Sequence, residues 1–449
     1  MNDTYLLKGS IGKGLLLFAL PVLFSQLFQT LYNTADTVLV GYFLGEHALA
    51  AMGAVAAVFE LIVGFCTGCG NGFAIVAGQK FGAGDRQGLR RTVAMAFFWS
   101  LVIGVILTIF FSLFIPVLLE MLNTKPEIFQ DSLHYIRIII AGLVITIFYN
   151  FEAGMLRAIG DSVTPLVILA MSAVLNIGLD CLMILNFRLG VAGTAYATLI
   201  SQGLCSVVCL VWILKKRRML VPEKKDCQFD SGLSKGLLEQ GLAMGLMSSI
   251  VSIGTVILQS AINLMSLNIQ AAHAAVRKMM SIFVLVPGAL FTALSAFTAQ
   301  NTGAGQYERI VRGIRMGNRF SLVYCALLTL FAFTCSEMMV RLFSGSAQPE
   351  VIANGALYLK INLPFYFALS ILCTLRSCLQ ALGEKVVPVM SSVIELAGKL
   401  VFTWLVIPHT GYVGVCWSEP VIWVLMMLYL AWNYKRTRCL QGCNPKILL

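Results

Sequence analysis

Charge is the scarce ingredient of this 449-residue sequence: 12% of its residues are Asp, Glu, Lys or Arg, against 58% hydrophobic. Soluble domains carry about 25% charged residues, so the shortage excludes a large cytosolic enzyme. Chemical signatures are missing as well. No HExxH, GxSxG or P-loop motif occurs, which leaves a zinc protease, a serine hydrolase and an ATP-driven pump without support, and no enzyme is expected. The 13 cysteines lie mostly inside apolar runs, where a free thiol behaves as a small hydrophobe. A secreted disulfide framework is excluded on that ground. Cys66 and Cys69 in "CTGCGNG" have CxxC spacing but no second pair nearby, so neither a metal nor a redox role is read there.

What the sequence has in abundance is apolar runs of about twenty residues, the length a helix needs to cross ~30 Å of hydrocarbon. Twelve are read: 14–40, 48–74, 92–118, 134–155, 163–186, 191–214, 236–264, 269–297, 313–336, 354–379, 386–408 and 412–434. They are too long and too continuously apolar for barrel strands. The first is expected to be a retained helix, being too long for a signal peptide and lacking a convincing cleavage site. An all-α integral membrane protein follows, with the lipid bilayer as its surroundings.

The net charge of +11 does not point to nucleic acid, because the basic residues sit in short connections between the runs. One set of connections collects Lys80, Arg86, Arg90, Arg91, the run from Lys215 to Lys235, then Arg309, Arg312, Arg315 and a tail with Lys435, Arg436 and Arg438. The other set holds only Lys125, Arg188 and Arg341 and leans acidic through Glu46, Glu120, Glu127, Asp131 and Glu350. This is the positive-inside pattern, and it places both termini in the cytoplasm of a cell-membrane protein.

The connection "KKRRMLVPEKKDCQFDSGLSK" falls near the middle of the chain and prompts a search for an internal repeat. "GQKFGAGDRQGLRR" (78–91) matches "AQNTGAGQYERIVR" (299–312), pairing Gly82 with Gly303 and Gly84 with Gly305. "AIGDSVTP" (158–165) matches "ALGEKVVP" (381–388), and "LGVAGTAY" (189–196) matches "TGYVGVCW" (410–417). Three anchors in order at a near-constant spacing predict two six-helix lobes, 1–214 and 236–449, joined by the basic connection 215–235. Six spans is an even number, so both lobes start on the same side and are related by a pseudo-two-fold axis along the membrane normal. That layout suits a secondary transporter working by alternating access.

A carboxylate inside a span costs at least ~2.5–3.5 kcal/mol on insertion scales and marks a functional site by default. Asp36 is expected about 6 Å from the outer end of span 1 and Asp180 about 9 Å from that of span 5, with Asn176 one turn deeper, counting ~1.5 Å per residue. Thr198 in span 6 and Tyr135 at the start of span 4 share that stratum. Two carboxylates, an amide carbonyl and a hydroxyl are hard oxygen ligands suited to Na⁺. The same carboxylates, desolvated and close together, would equally carry H⁺. The alternative for either alone is a hydrogen bond to a helix end. No cofactor beyond the coupling ion is expected, and no other metal.

Gln26, Gln29 and Asn33 precede Asp36 at helical spacing and predict a polar stripe, with Pro21 below it as a hinge. Phe28, Tyr32, Phe148, Tyr149 and Asn150 add aromatic and polar surface that would suit amphipathic organic cations. For any single aromatic, ordinary helix packing is the plainer reading. In the second lobe Glu395 and Lys399 are four apart and read as a self-neutralised pair. Arg277 and Lys278 are also intramembrane, and the lone His273 is given no catalytic role.

"LPVLFSQLFQTLYNTADTVLVG", "GQKFGAGD", "MLRAIGDSVTP", "LNIGLD" and "LGVAGTAYAT" together resemble the multidrug and toxic compound extrusion (MATE) family along essentially the whole chain. The resemblance implies a twelve-helix, two-lobed exporter that exchanges small organic drugs or metabolites for Na⁺ or H⁺, and a monomer is expected. For the DinF-like branch it implies a cation site on Asp36, Asn176, Asp180 and Thr198 with Tyr135 beside it. The acidic residue that the NorM-like branch places in span 7 has no counterpart in "LAMGLMSSIVSIGTVIL", and Glu239 lies too near the cytoplasmic end. The rival within the same superfamily is a lipid-linked oligosaccharide flippase, which would line its cleft with arginines. Arg277 and Lys278 favour it, and the acidic first lobe opposes it.

Overall fold

The computed structural model describes residues 4–122 and 124–437, and among them no strand occurs. Arg438 and the rest of the expected tail lie outside the described residues. In chain order the α-helices are α1 (Ile11–Gly82), α2 (Arg86–Met121), α3 (Pro126–Ala141), α4 (Leu143–Ala158), α5 (Val163–Cys181), α6 (Val191–Lys216), α7 (Ser231–Asn263) and α8 (Leu267–Phe283). They continue with α9 (Leu285–Gly303), α10 (Tyr307–Ser344), α11 (Pro349–Asn362), α12 (Tyr366–Ala381), α13 (Val386–Val401), α14 (Ile407–Thr410) and α15 (Tyr412–Arg436).

Ten helical stretches are long and apolar enough to cross a membrane, and the pair α3 and α4, bent by 48° at Gly142, makes an eleventh. The twelfth is hidden in α1, whose 72 residues would run ~110 Å at 1.5 Å per residue, far beyond one bilayer. Its backbone leaves helical torsions at Gly45 (φ 84°), a value that glycine adopts without penalty. The expected connection between spans 1 and 2 is therefore a one-residue kink. Nothing in "GYFLGEHALA" other than that glycine interrupts the helix, so the first span extends past the expected end at 40.

Two compact packing units are present. One comprises residues 4–5 and Leu20–Ser248; the other comprises Leu6–Ala19 and residues 249–437. Packing thus divides α1 beside Pro21 and divides α7 at Ser248, whereas topology and repeat divide the chain at 215–235. That connection folds into two short turns, Arg218–Leu220 and Lys224–Cys227, within the first unit. Glu223 binds both Arg90 and Lys225, while Trp99 Nε1 donates to Ser234 Oγ at 2.7 Å.

The glycine-rich stretch around the Cys66 and Cys69 pair has a packing purpose. A Cβ on Gly68 would meet the Met244 carbonyl oxygen at 2.5 Å, and one on Gly72 would meet that of Gln240 at 2.6 Å. Gly241 and Gly245 lie at the same contact, so two small-xxx-small faces lock α1 against the start of α7, as membrane helices do when backbones must approach closely. Both cysteines are buried and free. Elsewhere the outward faces are apolar: on α2, Ile106, Phe110, Leu113 and Val117 are exposed while Ile103, Phe111, Ile115 and Leu119 are buried.

The internal repeat survives as matched backbone breaks. Gly84 and Gly305 have φ of 70° and 68°, Gly160 and Gly383 have 91° and 94°, and Gly190 and Gly411 have 59° and 60°. Just before the last pair, each half carries a five-residue π-helical turn, Leu182–Asn186 and Phe402–Val406.

Candidate functional site

In the first unit α1, α3 and α5 bring Asp36, Tyr135 and Asp180 close, with Asn176 one turn before Asp180 on α5 and Thr198 buried on α6. Asp36, Asn176, Asp180 and Thr198 are all buried, with Asp180 having no exposed surface. The Asp36 and Asp180 carboxyls are neighbours, and the Tyr135 phenol lies near both and near Tyr32. Asp36 Oδ1, both oxygens of Asp180 and both polar atoms of the Asn176 amide have no hydrogen-bond partner. Buried polar atoms are normally satisfied, and exceptions call for a missing group. Two adjacent buried carboxylates are the chemistry that a proton or a small hard cation neutralises. The alternative of a helix-end hydrogen bond finds no support at Asp180, where neither oxygen is bonded.

Depths differ from expectation. Asp36 lies nine residues before the Gly45 break, or ~13 Å at helical rise, rather than about 6 Å from a helix end. Tyr135 does not open its helix, because α3 begins at Pro126; it lies over two turns inside. Both corrections have one cause: helices α1 and α3 outrun their apolar runs, and "EIFQDSLH" is polar yet helical.

The polar stripe also resolves differently. Gln29 and Asn33 are exposed, and the Asn33 carbonyl accepts from Thr37 Oγ1. The path toward Asp36 runs instead through Tyr32, one turn before it, whose hydroxyl lies against Gln29 and Gln202. Gln202 Oε1 accepts from Thr146 Oγ1 at 2.9 Å. Asn150 Nδ2 donates to the Thr146 carbonyl at 2.9 Å, and Asn150 Oδ1 accepts from Thr67 Oγ1 at 3.2 Å. Tyr149 lies near Tyr32 and Cys205, while Phe148 packs its ring 4.9 Å from Phe97. Phe28 is half-buried with no ring partner described. Gln202 was not foreseen, since its role is set by contacts across helices and not by any local spacing. Helix α1 passes through Pro21 with helical torsions, and Ser25 Oγ donates to the Pro21 carbonyl at 2.9 Å.

The second unit disposes of its charges differently. Lys399 Nζ donates to Glu395 Oε1 at 2.9 Å, both side chains buried, and also reaches Thr255 Oγ1 on α7 at 3.3 Å. Arg277 lies 3.5 Å from Glu419, which also accepts from the Tyr358 hydroxyl at 2.9 Å. His273 is buried against Tyr358 and Tyr412, and Lys278 is exposed. Glu419 escaped the sequence reading, though a carboxylate inside "WSEPVIW" obeys the rule that singled out Asp36. Among the described residues, no group of three or more His, Cys, Asp or Glu is placed to hold a metal ion.

Comparison with known proteins fits this architecture. The MatE family model matches the chain twice, at 21–182 and 243–405, so the family unit is itself the repeat. A probable multidrug resistance protein, YoeA of Bacillus subtilis, is 27% identical over 95% of this chain and 94% of its own. A FAD transporter of Shewanella oneidensis is 27% identical over 95% of each chain. Among solved structures, one described as MATE in complex with MaL6 superposes with a TM-score of 0.89 at 23% identity, covering 98% of this chain and 100% of that one. With twelve apolar helices in two six-helix lobes and both halves matched by the same model, the chain belongs to the MATE family of multi-pass membrane transporters.

Proposed function

We propose that the chain is a cation-coupled antiporter that exports amphipathic organic compounds, many of them cationic, across the cell membrane with both termini in the cytoplasm. The observation that carries the reading is the Asp36 and Asp180 pair, buried and without donors. With the site facing inward, the ionised pair and the aromatic surface of Tyr32 and Tyr149 hold a cationic substrate. With the site facing outward, a proton or Na⁺ neutralises the pair and favours release. Asn176 and Thr198 supply the remaining oxygens for Na⁺, and Tyr135 borders them. Each inward elementary charge contributes ~2.3 kcal/mol per 100 mV of membrane potential, so the exchange runs uphill even without a pH difference. Pro21 serves as the hinge of α1, beside the point where its packing changes from one unit to the other.

The names of the relatives support the cargo class: several are described as multidrug resistance or export proteins. Of the two cations that favour the flippase reading, Arg277 carries a carboxylate partner in Glu419 while Lys278 is exposed, so a cluster of arginines for a pyrophosphate has little support. The test is uptake of a fluorescent organic cation into inverted membrane vesicles under separately imposed H⁺ and Na⁺ gradients. Uptake that responds to one of the gradients supports the reading, and uptake indifferent to both overturns it.

A further inference from the structure

A third buried carboxylate in the first unit, Glu152 on α4, takes no part in the coupling pair. It is only 5% exposed, and its Oε2 accepts a 2.8 Å hydrogen bond from Ser206 Oγ on α6. Among the described ion pairs none includes Glu152. The nearby Arg157 points elsewhere and donates to Asn71 Oδ1 at 3.3 Å. One oxygen is thus held in place by a neutral donor, and the carboxylate charge is left without a partner. A buried carboxylate kept for structure alone would be costly in this state.

Its depth separates it from the pair. Glu152 lies six residues before the end of α4 at Ala158, ~9 Å from the end that leads into "IGDSVTP". Asp180 lies toward the opposite end of the neighbouring span, six residues before its close at Asn186, ~9 Å at helical rise. The two carboxylate stations therefore stand toward opposite faces of the membrane, and the positive-inside pattern puts Glu152 toward the cytoplasm. Around Glu152 the helix presents aromatic side chains: Phe148 and Tyr149 lie one turn before it, and Phe148 and Phe151 both pack on Phe97 at 4.9 and 6.4 Å. Tyr149 and Glu152 both lie near Cys209 on α6, and Tyr149 lies on the side of α4 toward Tyr32. A fixed carboxylate oxygen beside aromatic faces is the chemistry that recognises an organic monocation.

We propose that Glu152 is a second, cytoplasm-side binding station for the cationic group of the substrate, distinct from the Asp36 and Asp180 pair that carries the coupling ion. It rests on the exporter reading above and adds where cargo charge is first read. In this arrangement a cation entering from the cytoplasm meets Glu152 before the coupling pair.

The test uses the purified full-length protein and tetraphenylphosphonium as the probe. Glu152→Gln keeps the acceptor for Ser206 but removes the charge. It is expected to weaken tetraphenylphosphonium binding by about tenfold or more, while binding of the uncharged triphenylphosphine oxide stays as in wild type. Glu152→Asp is expected to retain cation binding. Equal affinity of Glu152→Gln and wild type for the cation overturns the proposal and leaves the exporter reading standing. Failure of wild type to bind any organic monocation overturns both. Should Glu152→Gln not fold, wild type gives the answer through labelling with a hydrophobic carbodiimide read by mass spectrometry. Saturating tetraphenylphosphonium is expected to protect Glu152, and an unchanged labelling rate overturns the proposal.

Discussion

The two packing units share one repeated scaffold, yet they treat the carboxylates buried inside their spans in opposite ways; outside the spans the first unit also pairs its charge, Asp161 with Arg217 at 2.6 Å. In the second unit Glu395 meets Lys399 and Glu419 meets Arg277 and Tyr358. In the first, Asp36 and Asp180 meet only each other and Glu152 meets only Ser206. The family model starts at 21 and again at 243, a separation of 222, which places Leu258 opposite Asp36. The scaffold is present in both halves, and the Asp36 and Asp180 pair in the first alone. Paired charges hold helices together, and unpaired ones wait for a ligand. The same residue types serve structure in one lobe and exchange in the other because of what faces them.

That contrast is breakable. The largest expected effect is on the unpaired side. Asp180→Asn should insert and fold normally but lose most ion-driven export, within the about 5–150-fold range typical of a coupling free energy between two ligands. Vesicle uptake under an imposed gradient, normalised to folded protein, measures it. Glu120→Gln, near the end of α2, should export as wild type in the same assay.

On the paired side the signature is non-additivity. Lys399→Met alone leaves Glu395 buried without its cation, Glu395→Gln alone leaves Lys399 without its anion, and the former should cost about 3–5 kcal/mol of stability. The double change Glu395→Gln with Lys399→Met should recover most of it. Thermal unfolding of the four proteins gives the cycle. A double variant no better than the worse single one would mean that unit 2 also uses its charges in transport.

A smaller effect comes from packing without charge. Gly72→Val puts a branched side chain where a Cβ already meets the Gln240 carbonyl at 2.6 Å, and overpacking of that kind costs about 1–3 kcal/mol. Lower folded yield with unchanged ion dependence per folded molecule is expected.

The smallest effect belongs to Glu223, fully outside the membrane. Hydrogen bonds from Lys225 and then Arg90 hold its carboxyl below the usual carboxylate range. A depressed carboxylate contributes stability above its unfolded pKa and loses it as pH falls through the folded value. Exposure and screening keep that contribution small. Glu223→Gln should therefore flatten a slight acid sensitivity of the melting temperature below about pH 4.5 and leave neutral-pH melting almost unchanged.

Much of this was legible in the sequence for particular physical reasons. The anchors Gly84, Gly160 and Gly190 and their partners stood out because only glycine takes their positive φ without strain, so chemistry repeats wherever the backbone does. Asp36, Asn176, Asp180 and Thr198 were grouped by depth because helical rise is a fixed ruler. The ruler slipped at Asp36 and Tyr135, where helices run on through polar residues and hydropathy alone misplaces the ends. Gln202 and Asn150 could not be joined in advance, since their links pass between helices far apart in sequence. Glu152 and Glu419 could have been. Each lies inside an apolar span, where a carboxylate marks a site by the same cost that singles out Asp36.

The most direct test of the exchange at Asp36 is ion-driven export by Asp36→Asn in proteoliposomes loaded with a fluorescent cation. Glu152 and Asp180 remain in this variant, so substrate binding should be weakened and not abolished, while imposed H⁺ and Na⁺ gradients leave the flux unchanged. Export at the wild-type rate with the wild-type ion dependence would contradict the account and reduce Asp36 to a buried hydrogen-bonding group.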